Sequence, residues 1–275
     1  MQLVNTFLIG ADPEYIALDK AGTLVNVAAY TTKDALEVAL DHGGDVLEIK
    51  PKPSKSTFRL LRRMRKLLLM HSVSKGLIGA GYLFRGGAHY KTPRRLITLG
   101  GHIHFDIPAG TNEFRNQNIP LEYLTKENQE RVKALDALTI LLEDLDILPK
   151  EDCQHRRRYG QLDYGKLSSV RGADKDNHFE YRSMCSWLYS PVTTLLCTTA
   201  AKLIAVNPKV ELNGLAGLKL LFEQYKSKDI DAARVVEKIF EPKLKLEARV
   251  DLDIKDTWKS LKSLGGVENA VGSAL

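Results

Sequence analysis

From Thr6 to Leu18 apolar and polar residues alternate closely enough to predict a strand, with Asp12, Glu14 and Ile16 sharing one face. Pro13 cannot donate to a sheet ladder, so this point belongs at an edge or a bulge. A carboxylate pair inside an otherwise apolar strand is costly to bury without a cation. The chain turns at Lys20-Ala21-Gly22 into a second predicted strand, Thr23 to Ala29. Asp34 to Asp41 predicts a short helix, ended by Gly43-Gly44. Asp45 to Pro51 alternates again, with Leu47 and Ile49 on one side and Glu48 and Lys50 on the other. Ser54 or Ser56 caps the following helix. Its Phe58, Leu60, Leu61, Met64, Leu67 and Leu68 fall on one side, and Arg59, Arg62, Arg63 and Lys66 on the other. Such a helix is expected to pack on a sheet with its charges in water.

Gly76 to Gly87 is glycine-rich without a GxxxxGK[ST] pattern, and it predicts a strand and a mobile loop. Leu96 to Leu99 leads into Gly100-Gly101-His102-Ile103-His104-Phe105-Asp106. Strand alternation there puts His102, His104 and Asp106 on one face and Ile103, Phe105 and Ile107 on the other. The glycine pair would let the backbone come close to a ligand. After a polar connection from Ile107 to Pro120, Thr125 is the predicted N-cap of a helix over Glu127 to Leu145. Its buried stripe is Leu135, Leu138, Leu141, Leu142 and Leu145. Arg156 to Gly160 opens an irregular segment that runs through Arg171. In His178 to Ser183, Phe179 and Tyr181 face one way, and Glu180 and Arg182 the other. Ser190-Pro191 starts a helix that is apolar nearly all round to Val206. Short helical patterns then alternate over residues 207–275, so the C-terminal third reads as helical scaffold. Asp251, Asp253 and Asp256 there form a solvated face.

Composition narrows this picture. A chain of 275 residues, 44% hydrophobic and 27% charged, is ordinary globular protein of one or two domains. We divide it into a core, 1–206, and a helical extension, 207–275. The longest apolar run, Leu195 to Val206, is broken by Thr198, Thr199 and Lys202 and falls short of the ~20 residues needed to span a bilayer. The first residues show no basic and apolar secretion pattern. Three cysteines without CxxC argue against a disulfide framework or a cysteine zinc site, and a cytoplasmic setting fits. The net charge of +6 comes in clusters that lack interleaved aromatics, which makes nucleic acid an unlikely partner. A polyanionic small molecule such as ATP suits the same balance.

The chemistry then concentrates. Four predicted strands carry Asp12 and Glu14, Glu48, His102 and His104, and Glu180 and Arg182 on their polar faces. Carboxylates with an imidazole suit Mg²⁺ or Mn²⁺ better than zinc, and arginines beside such ions are the usual partners of a polyphosphate. Together they match the needs of phosphoryl transfer.

The segments Gly10-Ala11-Asp12-Pro13-Glu14-Tyr15, Leu47-Glu48-Ile49-Lys50-Pro51, Gly100-Gly101-His102-Ile103-His104-Phe105, Tyr159-Gly160, and Glu180-Tyr181-Arg182 followed by Trp187 resemble, in this order, one ligase family. These are the carboxylate–amine ligases of the glutamine synthetase-like superfamily, and in particular the PhiEco32-like amidoligases of type 2. The resemblance implies an α+β fold: a curved, mostly antiparallel sheet with helices packed on its convex side. It also implies ATP, two or three Mg²⁺ ions and an acyl-phosphate intermediate that an amine attacks. Carried over by motif, Glu14, Glu48, His102 and Glu180 look like metal ligands, and His104 a nucleotide contact. Arg182 looks like a clamp on the transferred phosphoryl group. Arg158, Arg171 and Lys50 are further candidates for the cofactor's phosphates, with the spacing of Leu162 to Asn177 departing from the family's. Small-molecule or peptide carboxylates and amines are the implied partners, with no membrane and no readable oligomeric state. Two alternatives stand beside this: a zinc- or manganese-dependent hydrolase built on the HxH pair, and a non-catalytic binding module on the same fold.

Overall fold

The computed structural model describes residues 8–41, 44–108, 114, 117–159, 165–172, 178–188 and 191–206. Among the described residues nine strands fall in chain order as β1 (Ile9–Leu18), β2 (Val38–Asp41), β3 (Val46–Ile49), β4 (Leu83–Arg85), β5 (His89–Lys91), β6 (Leu96–Thr98), β7 (Gly101–Phe105), β8 (Val170–Gly172) and β9 (Phe179–Tyr181). Five helices accompany them: α1 (Thr57–Met70), α2 (Ser72–Gly79), α3 (Lys126–Asp144), α4 (Lys150–Tyr159) and α5 (Pro191–Val206). The main sheet runs β2-β3-β1-β7-β9-β8, with β4 also on β1, and every pairing is antiparallel. β5 and β6 form a separate hairpin. This is the expected α+β architecture with a mostly antiparallel sheet. The proposed extension, 207–275, lies outside the described residues, as does Gly160.

Period-2 alternation divides β1 cleanly. Ile9, Ala11, Tyr15 and Ala17 join Leu47, Ile49, Ile103, Phe105, Phe179 and Tyr181 in one core with α1, α3 and α5. The even-numbered residues face the other way. There Ile16 and Leu18, with Val46, are covered by Ile97 and Leu99 of the hairpin segment. The helices therefore occupy one side of the sheet, and the polar residues of β1, β3, β7 and β9 project from the other. Ser56 caps α1 by accepting from the Arg59 amide (3.3 Å), and Thr125 caps α3 by accepting from the Asn128 amide (3.2 Å).

Four local expectations differ from the structure. Asp34 to Asp41 is not a helix: Val38 to Asp41 pair with β3, and the outer edge of β2 is sealed by the Leu40 amide on Thr32 O and the Thr31 hydroxyl on Val38 O. Burying Val38 and Ala39 against β3 outweighs the local helix preference. Thr23 to Ala29 makes only an isolated bridge, Leu18 to Leu24, instead of a strand. The glycine-rich stretch begins as helix α2, because Val73 and Leu77, one turn apart, are both buried; only Leu83 to Arg85 is strand. Arg156 to Arg158 end helix α4, with Glu151 and Asp152 in its first turn and the arginines in its last, an order that complements the helix dipole.

Candidate metal centre

Register assembles the site without any long loop. Glu14 lies opposite Glu48, Asp12 opposite His102, Gly10 opposite His104, and His104 opposite Glu180, which in turn faces Arg171. Residues opposed across a sheet project from the same face, so four strand pairings bring these side chains to one patch. His102 is at its centre. Its Nδ1 lies 3.3 Å from Asp12 Oδ1 and 3.2 Å from Glu180 Oε1, while Nε2 is 4.0 Å from Glu14 Oε1. His104 Nε2 reaches Asp12 Oδ2 at 2.9 Å. Arg182 Nε is 3.0 Å from Glu180 Oε1, and Lys50 Nζ is 2.9 Å from Glu48 Oε2.

Burial makes this concentration of charge costly. Glu14 is fully buried, and the Gly100 amide donates to its Oε2 at 2.6 Å. From behind, Tyr181 holds β9 in place: its hydroxyl donates to Asp136 Oδ1 (2.7 Å) and lies 3.0 Å from Thr139 Oγ1 on α3. Asp136 also accepts from the Ser168 amide and hydroxyl, which fixes the approach to Arg171.

The titration behaviour follows from the geometry. Burial raises the Glu48 carboxyl and the charge of Asp12 raises it further, to about 8, against the opposing pull of Lys50 and His102. Burial disfavours the Asp12 anion, but His104 and His102 outweigh it and hold the carboxyl well below its usual range. Burial likewise disfavours charged His104, yet Asp12, Glu180 and Glu48 raise it to about 9; His102 is also raised.

Two groups of donors each bring their atoms within 4.8 Å of one another: Asp12, His102 and Glu180, and Glu14, Glu48 and His102. Four carboxylates around one imidazole are a donor set for a hard divalent cation, and the residues present fit Mg²⁺ or Mn²⁺. His104 joins neither group, although both histidines meet on Asp12. Ligation requires ionised Glu48 and a neutral His102 nitrogen, so cation binding at pH 7 is expected to release roughly one to two protons per chain. Affinity should rise with pH through about 8 as Glu48 ionises. Calorimetric titration of Mn²⁺ in two buffers of different ionisation enthalpy measures the release, and equal heats in both would contradict it.

Of the residues singled out in the sequence, Glu14, Glu48, His102, His104, Glu180, Arg182 and Lys50 are brought together, and Arg171 shares their face. Arg158 is exposed at the end of α4 and has no hydrogen bond or ion pair to the cluster among the described residues. Two cluster members were not chosen from the sequence. Alternation puts Asp12 on the right face, but the sequence marks it only as half of a charged pair with Glu14. His178, whose ring lies 5.5 Å from that of His104, has only its even-numbered register with Glu180 to mark it. Gly100 and Gly101 also have structural roles of their own. Gly100 binds Glu14 through its amide, and the absent Gly101 side chain leaves room for Trp187.

A sequence profile of the family described as phage phiEco32-like COOH.NH2 ligase-type 2 matches residues 9–242. No curated protein matches the chain. Among solved structures, it is similar to a novel glutamine synthase homologue, at 13% identity and a TM-score of 0.41, over 94% of this chain and 71% of that one. A bifunctional glutathione synthetase from Pasteurella multocida is similar at 12% identity and a TM-score of 0.42; 99% of this chain is covered, but only half of the synthetase. Apo GmaS is similar at 14% identity and a TM-score of 0.41, with 99% and 75% covered. No helix among the described residues is long and apolar enough to cross a membrane.

Proposed function

Because the chain belongs to the family of phage phiEco32-like COOH.NH2 ligases of type 2, we propose that it joins a carboxylate to an amine using ATP and Mg²⁺, through an acyl phosphate. The observation that carries this reading is the carboxylate and imidazole cluster spread over β1, β3, β7 and β9 with Arg182 against its edge. A cluster of that composition neutralises polyphosphate through bound divalent cations, and the cations supply charge stabilisation at the phosphates. Asp12, Glu14, Glu48, His102 and Glu180 would hold them.

The cationic side chains divide the remaining work. Arg182, kept in place by Glu180 Oε1, presents a guanidinium to charge developing on the transferred phosphoryl oxygens. Arg171 lies beside Glu180 on the same face and can bind a neighbouring phosphate. His104, charged at neutral pH and held by Asp12, suits a nucleotide contact. Lys50, at the rim beside Glu48, offers a further cation. All of these residues fall within 1–206, the segment we take as the catalytic core, and soluble acids and amines or peptides are its substrates. Arg158 contributes to phosphate binding in this scheme only by moving toward the cluster.

The test is a panel of carboxylate and amine pairs. ADP and phosphate are expected only when both partners are present, and calorimetry is expected to show Mg·ATP binding. Absence of both would overturn the reading. Tight stoichiometric zinc in the purified protein would favour the hydrolase instead.

A further inference from the structure

The run from Ile49 to Phe105, 57 residues, contains thirteen lysines and arginines and no aspartate or glutamate. The rest of the chain is net acidic, with 27 basic against 34 acidic residues. Some of this positive charge is exposed on α1 behind the sheet, at Arg59 and Lys66. Arg85 and the β5–β6 hairpin with Lys91, Arg94 and Arg95 lie on the side that carries the carboxylate cluster. In the β4–β1 pairing Arg85 is opposite Ile16, two residues beyond Glu14 and on its face. The β5–β6 hairpin lies across the same end, with Tyr90, Ile97 and Leu99 packed on Ile16, Leu18 and Val46. Tyr90 Oη donates to Gly22 O at 2.5 Å, and Arg95 is paired with Asp45. The hairpin is thus a fixed wall. Its Lys91 and Arg94 are exposed, and neither side chain has a hydrogen bond or ion pair among the described residues. Arg85 lies over the Tyr90 ring, 5.8 Å from its centroid.

The site has a direction along β1. Successive rows are Gly10 with His104, Asp12 with His102, Glu14 with Glu48, and Ile16 with Arg85. His104 and Arg171 belong to the first of these rows and Arg182 falls beside the second; the proposed ligase would hold its phosphates there, away from Ile16. A carboxylate that meets the terminal phosphate at the cluster must therefore extend its remaining length toward Ile16, Arg85 and the hairpin. Three exposed cations, none of them in an ion pair among the described residues, favour further negative charge on the molecule that lies there. We propose that the acid substrate is polyanionic, an acidic peptide-like chain, and that Arg85, Lys91 and Arg94 bind carboxylates beyond the reacting one. This deepens the ligase reading and rests on it.

The experiment uses the full chain and a fluorescein-labelled octaglutamate peptide followed by anisotropy. The double variant Lys91→Glu/Arg94→Glu is expected to bind at least about tenfold more weakly, and added salt should weaken binding to the parent. Arg59→Glu/Lys66→Glu makes the same change in net charge behind the sheet and is expected to bind within about twofold of the parent. All four side chains are exposed, so folding should be preserved, which circular dichroism checks. No octaglutamate binding by the parent, undiminished binding by the hairpin variant, or an equal loss in both variants would each overturn the proposal. Mg·ATP titrated into the parent reports separately on the ligase reading. Loss of octaglutamate binding with Mg·ATP binding intact sinks the substrate class alone, whereas failure to bind Mg·ATP sinks the reading beneath it.

Discussion

Glu180→Gln is expected to leave a folded protein that has lost its ligase turnover. The amide has nearly the shape of the carboxylate, and its oxygen can take the place of Oε1 beside Arg182 Nε and His102 Nδ1, which lie 3.0 and 3.2 Å from it. What disappears is the charge. Without it one candidate donor group, Asp12, His102 and Glu180, loses an anionic ligand, and Arg182 loses the ion pair that holds it at the cluster. Removing a single preorganised charge-stabilising group costs roughly a hundred- to a thousandfold in turnover. Because two such roles meet at Glu180, the upper end of that range is expected. The fold should notice little: Tyr181, the neighbour that anchors β9 to α3, is untouched. Rates of ADP formation with saturating acid and amine, read beside a thermal melt, test the prediction. Turnover within about tenfold of the parent, with the melt unchanged, would show that Glu180 is not part of the reacting centre.

Most of this centre was legible in the sequence because its construction is local. A strand alternates with period 2, so placing Glu14, Glu48, His102 and Glu180 on polar faces requires only the residues around each. Their meeting depended on which strand pairs with which, and antiparallel pairing of β1 with β3 and β7, and of β7 with β9, supplied it. The arginines of α4 show the limit. Three in a row suggest a phosphate site, yet the structure uses each differently. Arg156 is buried and donates to Ser183 O (3.0 Å), Arg157 pairs with buried Glu143 on α3, and Arg158 is exposed. The partners of the first two come from distant segments, and no local pattern encodes them. The helix expected over Asp34 to Asp41 fails for a related reason: pairing with β3 is a tertiary interaction that local propensity does not contain. The helix over Ser72–Gly79 was obscured by its glycines, whose cost is smaller than the burial of Val73 and Leu77.

Gly101→Ala is expected to be severely destabilising, even though it adds a single methyl group to a strand. A Cβ at Gly101 would lie 2.3 Å from Cys185 O and 2.5 Å from Cδ1 and Nε1 of Trp187. Neither neighbour can easily move. Cys185 O belongs to the backbone beside β7, where the Gly101 amide donates to Met184 O (3.0 Å) and the Ser186 amide to Leu99 O (3.2 Å). Trp187 is fully buried, and its indole Nε1 donates to Gly101 O at 3.0 Å. Relief therefore requires prising the 184–187 segment from β7 or displacing a buried indole. Overpacking of a core costs about 1–3 kcal/mol, and a clash with backbone on one side and an indole on the other belongs at or above the upper end. At ~3 kcal/mol a domain of this size loses roughly 6–12 °C in melting temperature. The next residue is His102, so any variant that folds should also bind Mn²⁺ more weakly, because relaxing the clash shifts the strand that presents the imidazole. Calorimetric melting and a Mn²⁺ titration of Gly101→Ala measure both effects. A variant that melts within about 2 °C of the parent would mean that the segment carrying Cys185 and Trp187 is not held against β7 as tightly as these contacts require.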